Sequence, residues 1–180
     1  MNTLMDNTPD HIYFKDRESR FIRVSRSQAK LFGLADPHEI VGKSDFDFFS
    51  EAHARPAYED EQHIIRAGEP LPEIEERETW PDRPDTWVAT IKMPMRDRVG
   101  DIIGTFGISR DVTERKNAEM QLASERNLLR TLIDNLPDYI FVKDRQSRFL
   151  VNNAAHLPAL GAKTQEEVIG HNDLLQQMLT

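Results

Sequence analysis

Cysteine is missing from all 180 residues, the 23 basic residues are outnumbered by 31 acidic ones, and long apolar runs are scarce. Without cysteine there can be no disulfide, no thiolate metal site and no cysteine nucleophile. The formal net charge of −8 argues against nucleic acid and against contact with an anionic membrane surface, because both partners need a basic face. No apolar run approaches the roughly 20 residues of a membrane span, and the N-terminus lacks the apolar region of a signal peptide. We therefore expect a cytoplasmic chain.

The sequence also lacks the usual motifs of catalysis and of metal binding. His53 and His63 are ten residues apart and cannot share a helix face as the paired ligands of a zinc site do. Gly100, Gly104 and Gly107 do not form a dinucleotide fingerprint, because no helix follows them at once. There is no nucleophile motif and no phosphate loop. We assign no catalytic residue and no metal ligand, and we expect that this segment is not an enzyme.

What the chain does contain is a long internal repeat. Asp6–Phe21 reads DNTPDHIYFKDRESRF, and Asp134–Phe149 reads DNLPDYIFVKDRQSRF, at an offset of 128 residues. The same offset, without a gap, places Asp45 on Asp173. The period is much longer than a solenoid unit, so the repeated unit is a whole small domain with a connector.

The repeat sets the predicted domain organisation. A complete domain covers residues 1–115, a connector helix covers 116–134, and the opening portion of a second domain covers 135–180. The second copy stops at Thr180, the counterpart of Ala52, and so lacks the closing strands. Its hairpin would leave an unpaired edge and an uncovered apolar face, so we expect it to be poorly ordered or packed on the first domain or on a neighbouring chain.

Hydrophobic periodicity predicts strands on both sides of a helical region. Ile12 and Phe14 alternate with other residues and begin a hairpin. Three further strands are predicted over Ile74–Trp80, Trp87–Met95 and Ile102–Ile108. Strands that pair sequentially around a helical insert make an α+β fold with an antiparallel sheet and helices on one face.

The helical region is predicted from its start and stop signals. Ser25 and the Asp36-Pro37 pair have the chemistry of helix starts. The longest helix is expected over Ser50–Gly68, with Pro56 in its first turn, because an interior proline would break it. Between these helices the segment GKSDFDFF carries three aromatic side chains, which could belong to the core or form the wall of a ligand pocket.

The connector has the pattern of a coiled-coil helix. Residues 114–134 contain no proline or glycine, and good helix formers dominate. A heptad seam with one charged position, Glu125, is formed by Ala118, Leu122, Glu125, Leu129 and Leu132. A lone helix of this length is marginal in water, so the seam needs a partner, either the sheet of the domain or the same helix of a second chain. We expect a parallel homodimer.

Several segments together resemble a PAS domain, a sensor fold of five antiparallel strands that encloses a small cavity with helices. The segments are IYFKDRESRF, GKSDFDFF, GEPLPE and IIGTFGISRDVTERK. In the last of them Asp111, Thr113 and Arg115 are similar to the motif at which the final strand of a PAS domain passes into its output helix. The resemblance implies that these residues relay a signal and that the Asp and Arg pair. Asp111 or Thr113 could also act as a simple helix cap.

The resemblance also bears on the ligand. A light-sensing flavin PAS domain needs a reactive cysteine, which this chain lacks. Ala57 or Tyr58 stands about where a haem-binding PAS domain has its histidine, and His53 or His63 could serve only if the helix were shifted. We therefore expect neither cofactor. A small organic ligand and a packed cavity without ligand both remain open. The residues expected to line the cavity are Ile12, Phe14, Phe32, Phe46, Ile65, Trp87, Ile91 and Phe106.

The implied function is that of a cytoplasmic sensor and dimerisation segment in a larger bacterial signal-transduction protein. Changes at the cavity would pass through the final strand and the connector helix to an output domain, such as a histidine kinase or a cyclic-dinucleotide enzyme. The alternative is a ligand-free PAS module that acts only in protein–protein interaction and dimerisation.

Overall fold

The computed structural model describes residues 3–172. The chain divides into two compact units, Met1–Lys116 and Asn117–Thr180. The last eight residues of the predicted second copy, which include Asp173, lie outside the described part of the chain.

The first unit begins with a short helix and the predicted hairpin. Helix α1 (Thr3–Asn7) precedes strands β1 (His11–Lys15) and β2 (Phe21–Val24), which pair antiparallel. The Asp16 carboxylate closes the turn between the strands, because it accepts hydrogen bonds from the backbone N–H groups of Glu18 and Arg20 at 3.0 and 2.8 Å. The sequence predicted this hairpin correctly.

Short helices follow, and their caps are those that the sequence indicates. Ser25 caps α2 (Arg26–Leu31) and accepts a hydrogen bond from the Gln28 N–H. Asp36 and Glu39 form a reciprocal capping box on the 3₁₀ helix Pro37–Ile40. A second 3₁₀ helix, Asp45–Asp47, leads into α3 (Glu51–Ala67).

Helix α3 corrects one expectation about proline. Because α3 begins at Glu51, Pro56 lies in the second turn and not in the first. Proline has no N–H, so the carbonyl four residues earlier, at Ala52, lacks its usual helical donor. The helix ends as predicted at Gly68, whose φ of 73° lies in the left-handed region that glycine tolerates.

Three long strands complete the sheet. They are β3 (Leu71–Glu78), β4 (Thr86–Arg96) and β5 (Ile102–Asp111). The strand order is β2-β1-β5-β4-β3, and every pairing is antiparallel. The predicted α+β class with a five-stranded antiparallel sheet is therefore confirmed.

The two faces of the sheet differ in chemistry. On the face toward α3, β4 carries Thr90 and Lys92, which are both buried. The opposite face, which we call the outer face, is apolar and includes Ile91 and Met93, which are only half-buried. On the helix side a compact core contains Tyr13, Phe21, Val24, Ala29, Phe32, Ile40, Phe49, Ala54 and Trp80.

Helix α4 (Thr113–Asp134) follows β5 with a single residue between them. None of its residues is buried, and Leu122, Leu129 and Leu132 of the predicted seam are more than half exposed. Among residues 3–172 no helix combines the length and the hydropathy that crossing a membrane would require.

The second unit contains a smaller hairpin, formed by β6 (Phe141–Lys143) and β7 (Phe149–Asn152). Its pairing register, including the irregularity near the turn, is that of the first hairpin shifted by 128 residues. A small core of Phe149, Leu160, Ala162 and Val168 lies beside it. The described residues thus repeat the local geometry of the hairpin, while its identity as a second PAS copy and its expected poor order stay predictions.

Candidate ligand-binding cavity

A small cavity lies between the inner face of the sheet and the helical side of the first unit. Its volume is about 30 Å³. A cavity needs about 10–15 Å³ to hold one buried water molecule, so this one has room for about two. The wall consists of Tyr13, Lys15, Phe21, Gln28, Phe32, Asp45, Phe49, His53, Ala57, Glu61, Glu76, Glu78, Lys92 and Ser109.

Lys15 is the central charge of this wall. It is the last residue of β1, points toward the helices and is only 1% exposed. Its ammonium group donates hydrogen bonds to the carboxylate of Asp45 and, at 2.5 Å, to Glu61 Oε1. Its Nζ also lies 4.5 Å from the centre of the Phe21 ring. We call Lys15, Asp45 and Glu61 the buried triad.

Burial and the contacts within the triad shift the pKa values of Lys15 and Glu61. Burial by itself would lower the pKa of Lys15, but the nearby carboxylates of Asp45 and Glu61 raise it above the ordinary value. Burial raises the pKa of Glu61, and the opposing attraction of Lys15 does not cancel the effect. The described residues provide no hydrogen-bond partner for Glu61 Oε2.

A second charged group borders the same cavity. Lys92 is 3% exposed and contacts Asp60 at 2.9 Å and Glu76 at 3.7 Å. Glu78 accepts a hydrogen bond from the Thr86 hydroxyl at 2.7 Å, yet burial raises its pKa to about 7. Burial also lowers the pKa of His53, which favours its neutral form.

The raised pKa of Glu78 predicts a pH-dependent stability. Between its unfolded pKa near 4.5 and its folded value of about 7, the folded protein holds more protons than the unfolded chain. Its contribution to the free energy of unfolding is therefore full at low pH and is lost as the pH rises through about 7. At about 1.4 kcal/mol per pKa unit, the difference between 4.5 and about 7 corresponds to a loss on the order of 3–4 kcal/mol.

We expect Glu78→Gln, which is neutral at every pH, to remove this loss. The difference in free energy of unfolding between the variant and the parent protein should grow from about pH 5 to about pH 8, in urea titrations at each pH. Glu73→Gln, an exposed change on the same strand, is the matched control and should follow the parent curve. Parallel curves for Glu78→Gln and the parent would contradict the prediction.

Aromatic rings form the apolar part of the wall. Phe32 stacks on Phe48 at 4.0 Å between ring centres and meets the edge of Phe49 at 5.4 Å. Phe49 in turn packs on Trp80 at 4.4 Å. Of the three aromatics in GKSDFDFF, Phe49 is buried and lines the cavity, whereas Phe46 is 45% exposed beside Tyr58. That segment therefore contributes to core, wall and surface alike.

The structure brings one of the eight predicted cavity residues, Phe32, to the wall. Phe46 is exposed, and Ile65 is half-buried on α3 but is not part of the wall. Five others belong to the outer face of the sheet: Ile12, Phe14, Trp87, Ile91 and Phe106. Phe14 and Phe106, for example, stack on each other there with ring centres 5.9 Å apart.

These five residues lie on the outer face, and not at the cavity, because of the two-residue period of a strand. Side chains alternate between the faces, so choosing the most apolar positions of β1 selects the outer face. Tyr13 and Lys15 occupy the inner positions. A signal for Lys15 exists in the repeat, because Lys15 and Asp45 recur in the second copy as Lys143 and Asp173.

The predicted relay residues lie where β5 passes into α4. The Asp111 carboxylate accepts a hydrogen bond from the Thr113 N–H at 2.8 Å, which is a helix-capping contact. The Thr113 hydroxyl accepts one from the Trp87 N–H at 2.8 Å, and the Val112 N–H donates to the Trp87 carbonyl at the same distance. The start of α4 is thereby tied to β4.

A second set of contacts connects the start of α4 to β3. Arg115 and Lys116 both form ion pairs with Glu75, a partner of Arg115 that the sequence did not indicate. These hydrogen bonds lower the pKa of the Glu75 carboxyl. The first turn of α4 is thus held to both β3 and β4.

Large cofactors do not fit this cavity as it stands. Its volume of about 30 Å³ is much smaller than a haem or a flavin. Ala57, at a position where the resemblance would place a haem ligand, does line the cavity but has only a methyl side chain. Within the described range 3–172 no group of three or more potential metal ligands comes together.

Comparison with known proteins identifies similar sequences. Residues 5–117 match the family model described as PAS fold. The methanogenesis regulatory histidine kinase FilI of Methanothrix harundinacea is 32% identical over 127 residues, which cover 71% of this chain and 14% of the kinase. The aerobic respiration control sensor protein ArcB of Escherichia coli K12 is 29% identical over 119 residues, which cover 64% of this chain and 15% of that protein. The chain therefore spans about one seventh of the length of these relatives.

Solved structures agree in fold. The Vibrio cholerae VqmA dimer has a TM-score of 0.57 at 24% identity, covering 63% of this chain and 50% of that chain. A PAS domain from Colwellia psychrerythraea has a TM-score of 0.52 at 17% identity, covering 62% of this chain and 92% of that chain. At these identities the likeness concerns the fold alone.

Proposed function

Because this chain belongs to the PAS family over residues 5–117, we propose that it is the sensor and dimerisation segment of a larger signalling protein. Its relatives FilI and ArcB are a histidine kinase and a sensor protein, and the chain corresponds to a small part of each. The segment itself is a sensory module and not a catalyst. An output domain elsewhere in the protein would carry the activity, with a histidine kinase as the first candidate.

The observation that carries this proposal is the junction between the cavity and α4. Lys92 on β4 and Ser109 on β5 line the cavity. Val112 and Thr113 then attach the start of α4 to Trp87 of β4 through backbone and side-chain hydrogen bonds. A shift of β4 or β5 at the cavity therefore changes the direction in which α4 leaves the sheet. A ligand drives this change only if it binds one of the two arrangements more tightly.

Dimerisation is proposed through the seam on α4. Ala118, Leu122, Leu129 and Leu132 repeat at heptad spacing, and the three leucines are 56–68% exposed in the single chain. An apolar stripe of this kind is stabilised when the same helix of a second chain covers it. Glu125 on the seam weakens such a pair and suits a helix pair that changes register.

The remaining features of the proposal follow from composition. A net charge of −8 is unfavourable for binding nucleic acid or an anionic membrane surface. The segment is therefore proposed to act in the cytoplasm without contact to either. A small organic molecule is the proposed ligand.

A second candidate is a PAS module that binds no ligand and acts only by dimerising. The observation that favours it is the cavity volume of about 30 Å³, which two water molecules would fill. In that case the outer face and the seam on α4 carry the whole function, and the buried triad is purely structural.

Cysteine crosslinking tests the dimer directly, since the chain has no cysteine of its own. Leu122→Cys and Leu129→Cys should each form a disulfide-linked dimer under mild oxidation, resolved on a non-reducing gel. Ser124→Cys, exposed on the opposite side of α4, is the matched control and should crosslink far less. Equal crosslinking at all three positions, or none at any, would contradict a seam at these residues.

A further inference from the structure

The cavity wall carries more negative than positive groups. Four carboxyl side chains line it against two ammonium groups, which is a formal excess of two negative charges: Asp45, Glu61, Glu76 and Glu78 against Lys15 and Lys92. His53, the remaining ionisable group of the wall apart from Tyr13, is biased toward its neutral form by burial. Asp60, which contacts Lys92 from outside the wall, adds a further negative charge.

One carboxylate oxygen in the cavity wall has no hydrogen-bond partner among the described residues. Glu61 is 1% exposed. Its Oε1 accepts a hydrogen bond from the Lys15 ammonium group, whereas Oε2 has no hydrogen-bond partner of good geometry among residues 3–172. Ser19 lowers the pKa of Glu61 without satisfying that oxygen. An unpaired buried carboxylate oxygen is costly, and a donor supplied from the cavity would remove the cost.

Both ammonium groups, in contrast, already have carboxylate partners. Lys15 is held by Asp45 and Glu61, and Lys92 by Asp60 and Glu76. An anionic ligand would have to displace one of these pairs and would then face the remaining carboxylates. A cation would be repelled by the two ammonium groups, but the four carboxyl groups outnumber them, and aromatic rings, which attract positive charge, also line the cavity.

We propose that this cavity binds a small organic cation of the ammonium or amidinium class, with Glu61 Oε2 as its principal acceptor. The inference rests on the proposed sensor function and names the ligand class for it. In the arrangement described, the cavity admits a group about the size of ammonium or methylammonium. A larger cation reaches the same acceptor only if the aromatic wall moves, and that movement would be the signal.

Protons and water are the competitors of the cation. The raised pKa values of Glu61 and Glu78 favour the protonated, neutral forms of these two carboxyl groups. A cation must then displace protons, so its affinity should fall as the pH is lowered. A cavity that holds only water would show no such competition.

The experiment measures thermal unfolding of the whole chain by tryptophan fluorescence. Both tryptophans, Trp80 and Trp87, belong to the first unit and therefore report on it. The probes are methylammonium chloride and guanidinium chloride at low millimolar concentration. Sodium chloride at equal ionic strength is the reference, and sodium acetate is the anion probe. We expect a saturable rise in Tm with at least one of the cations, smaller at about pH 6 than at about pH 8.

Two variants locate the site. Glu61→Gln should raise the cation concentration needed for half-saturation by about tenfold or more, because it removes a charged acceptor. Glu59→Gln makes the same charge change on an exposed position of α3 and should bind like the parent protein. If Glu61→Gln does not fold, Glu78→Gln serves in its place and should also weaken binding at about pH 8.

The outcomes separate the ligand class from the sensor function. If neither cation raises Tm, the inference is overturned, and crosslinking at position 122 still tests the dimer independently. A rise with acetate alone overturns the cation class and leaves a sensor. A rise that is unchanged in both Glu61→Gln and Glu78→Gln overturns the assigned site. If the cation raises Tm less in Glu61→Gln than in the parent protein, the cation site is upheld. If crosslinking of Leu122→Cys is then the same with and without the cation, this argues against the relay through α4.

Discussion

Replacing Lys15 by methionine is expected to lower the free energy of unfolding by about 3–5 kcal/mol. The substitution keeps the length of the side chain but removes the cation that pairs with Asp45 and Glu61. Both carboxylates are then buried without a counter-ion, and each must take up a proton or draw water into the core. Urea denaturation followed by tryptophan fluorescence measures the loss.

Two comparisons identify the cause of that loss. Lys30→Met removes an exposed lysine on α2 and should change stability by no more than about 0.5 kcal/mol. The triple variant Lys15→Met, Asp45→Asn, Glu61→Gln removes both the cation and the orphaned charges, so it should recover a substantial part of the stability. A Lys15→Met protein within about 1 kcal/mol of the parent would mean that the triad carries little of its formal charge.

The general architecture could be predicted because it depends on local signals. The turn at Asp16, the caps at Ser25 and Asp36 and the stop at Gly68 are each specified by a few neighbouring residues. The alternation in β4 marks a strand whichever face is buried. These elements and their order were enough to give the five-stranded antiparallel sheet.

The composition of the cavity could not be predicted in the same way. Hydrophobic alternation places apolar residues on one face of a strand, and the usual assumption is that this face is the interior. Here the inner face carries Lys15, Glu78 and Lys92. Helices bring carboxylates to the two lysines, and the Thr86 hydroxyl of β4 donates a hydrogen bond to Glu78. Glu61 comes from a position 46 residues after Lys15, and no local pattern links the two.

The internal repeat helps to separate scaffold from site. Lys15 and Asp45 have the identical counterparts Lys143 and Asp173, which favours a general structural role for that pair. Four other wall residues change between the copies, since Tyr13 corresponds to Phe141, Gln28 to His156, Phe32 to Leu160 and Phe49 to Gln177. A pocket that keeps the Lys–Asp pair while its other wall residues vary could distinguish ligands without any change of fold.

The second large effect is expected for Gly104→Ala on β5. A Cβ atom built on Gly104 would lie 2.0 Å from the carbonyl oxygen of Lys15, which is a backbone atom of the paired strand β1. That atom cannot move aside by changing a rotamer, so β1 and β5 must separate locally. We expect a loss of about 3 kcal/mol or more in the free energy of unfolding, at the upper end of the usual cost of overpacking.

Gly100→Ala is the control that separates collision from backbone conformation. Gly100 has φ of +98°, so alanine there is strained, but no atom lies within 4 Å of the added Cβ. Its cost should be about 1–2 kcal/mol, clearly below that of Gly104→Ala in the same urea titration. If the two variants were equally destabilised, close contact with Lys15 would not be the cause. Because the same contact fixes the backbone that presents the Lys15 ammonium group, Gly104→Ala should also weaken any cation binding at Glu61.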